Sequence, residues 1–333
     1  MAGFTFFRNR LAVRIFSTIN TETEVINCVR SGGKTRSMLV SPKVVGIRYS
    51  LAMNKIFSKI VKNLRWAEGN PYFCESNSTI VKLTFLGTGT SQGVPVVACQ
   101  CPVCLSGNPK DQRLRASVMI ETETQCLVVD AGPDFRQQML AHKVCHLNGI
   151  LITHEHVDHI FGLDDIRAFN WVQKQPTDIY AEERVQIAIR RIFDYVFAVY
   201  KYPGIPQMHL HLIENKPFTI GDLEVLPIRG YHHKLPVFGF HFGKIAYVTD
   251  INRLEDAEME KLRGLEVLVL NALRKEDHIS HYSLHQALDL IAEVKPKKAY
   301  LTHLSHQMGF YDEVQAELPA NVFLAYDGLQ VTV

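Results

Sequence analysis

Between Leu151 and Asp165 the chain reads L-I-T-H-E-H-V-D-H-I-F-G-L-D-D, and no other stretch restricts the fold as tightly. His154, His156, Asp158 and His159 fall within six residues, directly after Gly149-Ile150-Leu151-Ile152, an apolar run that reads as a buried strand. Imidazole and carboxylate donors suit divalent transition metals. In a loop just past a strand, this spacing lets the first two histidines face one metal while Asp158 and His159 face a second. Four polar residues of a surface loop are the bland alternative, and three histidines with an aspartate packed this tightly argue against it.

A chain of 333 residues is long enough for one large domain or two small ones, and 47% hydrophobic with 21% charged residues is a globular composition. No apolar run approaches the roughly 18–20 residues that span a bilayer. The net charge of +2 gives no overall field for nucleic acid. That total hides an asymmetry. Residues 1–65 hold twelve Lys/Arg against Glu22 and Glu24, which is +10, so the remainder carries +2 − 10 = −8. Seven cysteines, three of them clustered, do not resemble the even-numbered framework of a small secreted domain.

Residues 1–20 carry Arg8, Arg10 and Arg14 among aromatic and aliphatic residues, with no acid. Arginines interrupt any apolar core, so the composition is that of an organelle transit peptide rather than a secretory signal. A disordered basic tail, or a true start at Met53, are the alternatives. Over residues 53–65, Ile56, Ile60, Val61 and Leu64 share one helical face, with Lys55, Lys59 and Lys62 elsewhere. The expected division is an N-terminal extension over 1–77, transit peptide plus linker, and a folded domain over 78–333. The expected location is the mitochondrion or plastid, otherwise the cytoplasm.

From Ile80 an alternating strand meets G-T-G-T-S-Q-G-V-P (Gly87–Pro95). Without a P-loop lysine or a following helix this is a weak phosphate cradle, and glycines permitting a sharp path beside a metal site is the better reading. Cys99, Cys101 and Cys104 follow, three soft ligands that a fourth would close into a tetrahedral zinc site. A redox pair, Cys101-x-x-Cys104, is the rival, but it leaves Cys99 unexplained. Cys28, Cys74, Cys126 and Cys145 stand singly and read as packing or tail residues.

Further strands are expected over 116–121 and 125–129, the latter running into Asp130-Ala131-Gly132, an acid placed to buttress a neighbouring loop. Helices are expected over 134–140, 164–172 and 183–196, and a short strand over 178–181. Strands resume over 208–213, 218–220 and 223–229. His209 and His211 share a strand face by period two, and with no carboxylate or cysteine beside them they read as plain sheet residues. Then come Tyr231-His232-His233-Lys234, a strand ending in Asp250, another over 265–271, the histidine-bearing 278–283, a helix over 284–294, and a strand running into Thr302-His303. A ligand repeatedly sits just past an apolar strand, which puts one site along one sheet edge. Strands lead each half with helices after them, arguing for two sheets face to face with helices outside.

At this point the pattern resembles the metallo-β-lactamase superfamily of binuclear hydrolases, through His154-x-His156-x-Asp158-His159 with downstream His232, Asp250 and His303. Within it, Cys99-x-Cys101-x-x-Cys104 after L-G-T-G-T-S-Q-G-V-P, His281, T-H-L-S-H (Thr302–His306) and Y-D-G-L (Tyr326–Leu329) are similar to the phosphoribosyl cyclic phosphate phosphodiesterase branch. The resemblance covers about residues 80–333. It implies an α/β (α+β) fold of the αββα sandwich type, with the metal site at the sheet edge. It also implies that His154, His156 and His232 hold one divalent ion, that Asp158, His159 and His303 hold the other, and that Asp250 bridges them. Cys99, Cys101, Cys104 and His306 would form a separate structural zinc site. His281 would be the catalytic histidine, with Asp158 also in the catalytic set. His233 beside His232 leaves the choice of ligand open, and the long N-terminal extension departs from the family pattern.

The implied function is a metal-dependent phosphoric diester hydrolase acting on a small or cyclic phosphodiester, with His281 as general acid. The mixed His/Asp donor set accepts zinc or manganese. An RNA-processing nuclease of the same superfamily is the first rival, and the −8 body argues against it. A thioesterase of the glyoxalase II kind and a non-catalytic scaffold are the others. The scaffold sits poorly with a full set of seven ligands. The expected partner is a small phosphodiester, with nucleic acid disfavoured, no membrane, and a homodimer left open.

Overall fold

The computed structural model describes residues 80–333 and, before them, the backbone of four strands, Gly3–Arg8, Leu11–Asn20, Thr23–Val29 and Thr35–Val40. The chain divides into two compact units, Met1–Ser76 and Asn77–Val333. In the first, the four strands form an antiparallel meander. The helix expected over residues 53–65 lies outside the described residues, as do Cys74 and the side chains of Cys28 and of the arginine-rich segment.

The second unit is two sheets packed face to face. Seven strands form one, in the order Met208–Leu212, Thr177–Ala181, Gly149–Leu151, Cys126–Val129, Ser117–Glu121, Lys82–Gly87 and Gln330–Thr332. The other has eight strands. It runs Phe218–Ile220, Leu223–His232, Leu235–Phe242, Ile245–Val248, Val267–Asn271, Lys298–Thr302 and Val322–Leu324, with the short Arg253–Leu254 strand added against Leu223–His232.

Strand alternation explains the layering. Along Lys82–Gly87, Leu83 and Phe85 enter the core between the sheets, while Leu86 faces the outer core under the helices. Along Val267–Asn271, Val267 and Val269 point inward and Leu268 and Leu270 outward. Both faces of such strands are covered, so they read as continuous apolar runs rather than alternating ones. Phe238, Phe240 and Phe242 line one strand face between the sheets, fully buried with neighbouring ring centroids 6.4 and 6.3 Å apart. Truncating one such ring costs about 3–5 kcal/mol through lost burial and the cavity left behind.

Three of the expected elements differ in detail. The helix expected over 164–172 is a 3-10 turn, Phe161–Ile166, followed by an α-helix, Arg167–Gln173. The helix over 183–196 breaks into Glu183–Ile192 and Asp194–Phe197, where the Asp194 carboxylate accepts from the Tyr195 amide and competes with the helical ladder. The strand expected to end at Arg229 continues to His232 and turns through His233 and Lys234 into Leu235–Phe242, pairing His232 with Leu235. Among the described residues no helix is long and apolar enough to cross a membrane.

Candidate metal centre

Each ligand-bearing segment leaves its strand at one edge of the sandwich. Asp130 directly follows Cys126–Val129, His303 directly follows Lys298–Thr302, and Asp250 lies two residues past Val248. These three turn off with φ of +66°, +56° and +58°. Left-handed backbone is uncommon outside glycine, and each instance costs on the order of 1–3 kcal/mol. Three at one cleft mark turns held by their surroundings. The Asp-x-Gly turn is also held close: a Cβ on Gly132 would meet the Asp158 carbonyl oxygen at 2.0 Å, so only glycine lets that turn lie on the Val157–Ile160 helix.

The side chains converge in two groups. Donor atoms of His154, His156 and His232 lie within 4.8 Å of one another, and so do those of Asp158, His159, Asp250 and His303. The Nε2 of His154 approaches His156 Nδ1 to 3.0 Å. His159 Nε2 lies 3.2 Å from Asp158 Oδ2 and 3.5 Å from Asp250 Oδ2, while His303 Nε2 lies 3.0 Å from Asp250 Oδ1. Asp250 thus turns one oxygen to each of two histidines. His281 Nδ1 stands 3.9 Å from Asp250 Oδ1, and its ring stacks on that of His303 at 4.7 Å and lies tilted against that of His232 at 4.5 Å.

Hydrogen bonds behind the cluster set which nitrogen faces inward. His159 Nδ1 donates to Asp130 Oδ2 at 2.7 Å, and His232 Nδ1 donates to the Ser280 carbonyl at 2.8 Å, leaving each Nε2 lone pair aimed at the cleft. Asp130 is itself fixed by the Thr153 amide and hydroxyl, both at 2.9 Å.

The donor set fits divalent cations on its own chemistry. Burial drives the His154 imidazole down and keeps it neutral, which is the ligating form, and burial with His232 nearby does the same to His156. For Asp158 and Asp250 burial favours protonation, but the facing histidines outweigh it and hold both carboxyls well below the usual range. Burial likewise opposes charge on His159, yet Asp158, Asp130 and Asp250 together drive it well above its ordinary value. Buried carboxylates demanding positive charge from one imidazole describe a site built around a cation. His159 Nε2, His303 Nε2 and His281 Nδ1 are buried without a hydrogen-bond partner, and the 3.0 Å approach of His303 to Asp250 lacks hydrogen-bond alignment. Such orphaned atoms are costly unless something binds them.

A second cluster lies apart. Cys99, Cys101 and Cys104 Sγ approach His306 Nδ1 at 3.3, 3.2 and 3.4 Å, near the separation of about 3.6 Å that tetrahedral zinc bonds impose. The Cys104 amide donates to Cys101 Sγ, the leading cause that lowers that thiol to about 6, whereas burial pushes Cys104 up to about 11. His306 sits three residues beyond His303, at the start of the His306–Met308 turn that Ser305 caps.

All eleven donors read from the sequence therefore fall into these two clusters, with His281 beside the first. His232, not His233, joins it: His233 occupies the exposed hairpin turn at φ +57°. Other polar residues are engaged elsewhere: Arg167 pairs with Asp164, Asn170 bonds Thr177 and the Gln207 carbonyl, and Arg136 lines a different groove. The cleft, about 400 Å³, is lined by His156, Asp158, His232, Asp250 and His303 together with His281, Ser91, Val157 and Glu155. Ser91 and Glu155 escaped the sequence reading, although Ser91 lies in the glycine-rich turn and Glu155 within the histidine motif, where it pairs with Arg184. One expectation is corrected. His209 and His211 are not plain sheet residues, because Asp178 on the adjacent strand lies 3.1 and 2.8 Å from their rings.

Comparison with known proteins agrees with this geometry. A family model described as a beta-lactamase superfamily domain matches residues 126–304. A solved structure described as a new diphosphatase from the PhnP family is 36% identical with a TM-score of 0.71, over 75% of this chain and 97% of that one. The zinc-bound PqqB structure from Methylobacterium extorquens shares the fold at 19% identity, TM-score 0.61, over 76% and 100% of the two chains. Among curated proteins, an octanoyltransferase of Porphyromonas gingivalis is 38% identical over 256 residues, 76% of this chain and 52% of that protein. Coenzyme PQQ synthesis protein B of Methylobacterium nodulans is 30% identical over 129 residues, 34% of this chain and 42% of its own. The matches span about half the length of these curated relatives. With the sandwich, the strand-end ligands and the family match in agreement, the chain belongs to the metallo-β-lactamase superfamily.

Proposed function

We propose that this metallo-β-lactamase-fold hydrolase cleaves a small or cyclic phosphodiester with two divalent ions, zinc or manganese, in the cleft. The carrying observation is the pairing of a seven-donor cluster around Asp250 with His281, a buried histidine whose Nδ1 is free and faces the same cleft. His154, His156 and His232 would hold one ion, Asp158, His159 and His303 the other, and Asp250 would touch both. Bound there, the ions would lower the pKa of a shared water and offset charge gathering on phosphoryl oxygens. The protein supplies orientation and a proton. Asp130 holds His159 in the tautomer that ligates, and Asp158 keeps its charge at the cleft wall. His281 donates to the departing alkoxide oxygen. Burial and His303 push His281 down to about 2, and the charge of an anionic substrate beside the ring opposes that shift. Cys99, Cys101, Cys104 and His306 would hold one structural zinc.

The 36% identical structure is described as a diphosphatase, which favours a second reading, a phosphoanhydride P–O–P bond as the scissile one. A screen of the full chain against cyclic phosphates, linear diesters and nucleoside diphosphate esters, with metal content measured alongside, separates the two. Turnover confined to anhydrides would establish the second reading, and two bound metals with no turnover on any ester or anhydride in the screen would end both. For location, the arginine-rich, acid-free first twenty residues support import into a mitochondrion or plastid, on composition alone. Diffuse cytosolic signal from residues 1–65 fused to a fluorescent reporter would reject it.

A further inference from the structure

The strand Met208–Leu212 is the outermost of the seven-stranded sheet and pairs in parallel with Thr177–Ala181. Register sets His209 opposite Asp178 and His211 opposite Tyr180, and period two places the four side chains on one face. There His209 Nδ1 and His211 Nε2 converge on the same oxygen, Asp178 Oδ1, at 3.1 and 2.8 Å. The two imidazoles lie 4.3 Å apart, tilted by 54°. His211 is held by stacking on Tyr180 at 4.7 Å, and Tyr180 in turn stacks on Phe218 at 5.8 Å.

We infer that Asp178, His209 and His211 form a further metal site, one that takes a divalent transition cation from solvent. Two imidazoles and a carboxylate make up a three-protein-ligand zinc set with an open fourth position, and imidazole-rich sets prefer zinc, copper and nickel to magnesium or calcium. Donors on bonds of about 2.0–2.1 Å at tetrahedral angles lie about 3.3 Å apart, so the observed separations need only a few tenths of an ångström of spreading. All three ligands stand on paired strands rather than a loop, which fixes the geometry before the ion arrives. The side chains of His209, His211 and Asp178 are 66%, 34% and 38% exposed, so the ion reaches them directly and the fourth position faces water. None of the three lines the catalytic cleft. The competing arrangement is two neutral imidazoles each donating to the carboxylate, which requires no cation.

The test starts from full-length protein with the cleft and the cysteine cluster loaded with zinc, dialysed against micromolar free zinc. Wild type should bind one zinc per chain more than His209→Ala/His211→Ala, with phosphoester turnover equal in the two. In Asp178→Asn the extra zinc should bind at least tenfold more weakly. Should the double variant misfold, Co2+ added to wild type provides the second measurement, shifting and broadening the ring proton resonances of His209 and His211. Equal zinc in wild type and double variant, or ring resonances untouched by Co2+, would overturn the proposal.

Discussion

Asp130→Asn probes the metal centre without touching a ligand. Asp130 is fully buried and accepts on both sides, from the Thr153 amide on Oδ1 at 2.9 Å and from His159 Nδ1 on Oδ2 at 2.7 Å. Asparagine keeps the shape and tolerates the φ of +66°, but it can accept on one side only. If its oxygen stays with the Thr153 amide, its NH2 faces His159 Nδ1, and the imidazole relieves the clash by moving its proton to Nε2, the nitrogen needed for metal. If the amide flips, the clash moves to the Thr153 amide instead. Either way one charge-assisted hydrogen bond, worth about 1.5–3 kcal/mol, is lost. At about 1.4 kcal/mol per decade that is roughly 10- to 100-fold in affinity, the range found for partners that orient metal-bound histidines. Competition with a chelator of known affinity reads the loss. It should fall on one of the two cleft ions, with turnover restored at high metal and Tm reduced by only a few degrees. A variant that holds both ions within twofold of wild type would refute the tautomer argument.

Four further outcomes follow from the same structure. His156→Ala should lose one cleft ion and turnover together, by metal analysis and kinetics, and activity with that ion gone would deny the binuclear reading. His281→Ala should keep both ions yet slow hydrolysis by about 10²–10⁴-fold for alkoxide leaving groups. With p-nitrophenolate, which needs no proton, the loss should be far smaller, and equal losses would remove the general-acid role. Cys104→Ser should drop one zinc and several degrees of Tm by calorimetry while the cleft stays loaded at saturating metal. Burial pushes the Asp327 carboxyl up from 3.8 to about 6, despite bonds from Thr88 and the Leu114 amide. The folded state therefore holds a proton that the unfolded chain releases. The stabilisation is complete below pH 3.8 and lost as pH rises through about 6, at about 1.4 kcal/mol per pH unit between. Asp327→Asn should flatten that segment of a Tm-against-pH curve.

How much was legible beforehand depends on where the information sits along the chain. Strands buried on both faces, such as Val267–Asn271, announce themselves as apolar runs. Leu235–Phe242 does not, because Pro236 and Gly239 are poor strand residues. The sheet accepts them: Gly239 lies where a Cβ would meet the Tyr247 carbonyl oxygen at 2.8 Å. That glycine is present for the close approach of the neighbouring strand, a tertiary fact that no local pattern carries. Asp130 was readable as a buttress, but not as the hydrogen-bond partner of His159, which lies 29 residues away.

The two His-x-His pairs make the same point sharply. His154-x-His156 is followed within three residues by Asp158 and His159, so its chemistry is written in one line of text. His209-x-His211 has no acid beside it in sequence, and its carboxylate, Asp178, lies 31 and 33 residues earlier. Only parallel pairing of Met208–Leu212 with Thr177–Ala181 brings it opposite. A histidine pair at period two on a strand offers two donors on one face, and whether a third joins them is decided by the residue on the neighbouring strand. Sliding that register by one residue would turn Asp178 to the other face and leave the pair inert. The same rule explains why the cleft was easier to read than the surface cluster. Four of its donors share the stretch after Gly149–Leu151 and the other three sit at the ends of further strands, and none depends on register between side chains of adjacent strands.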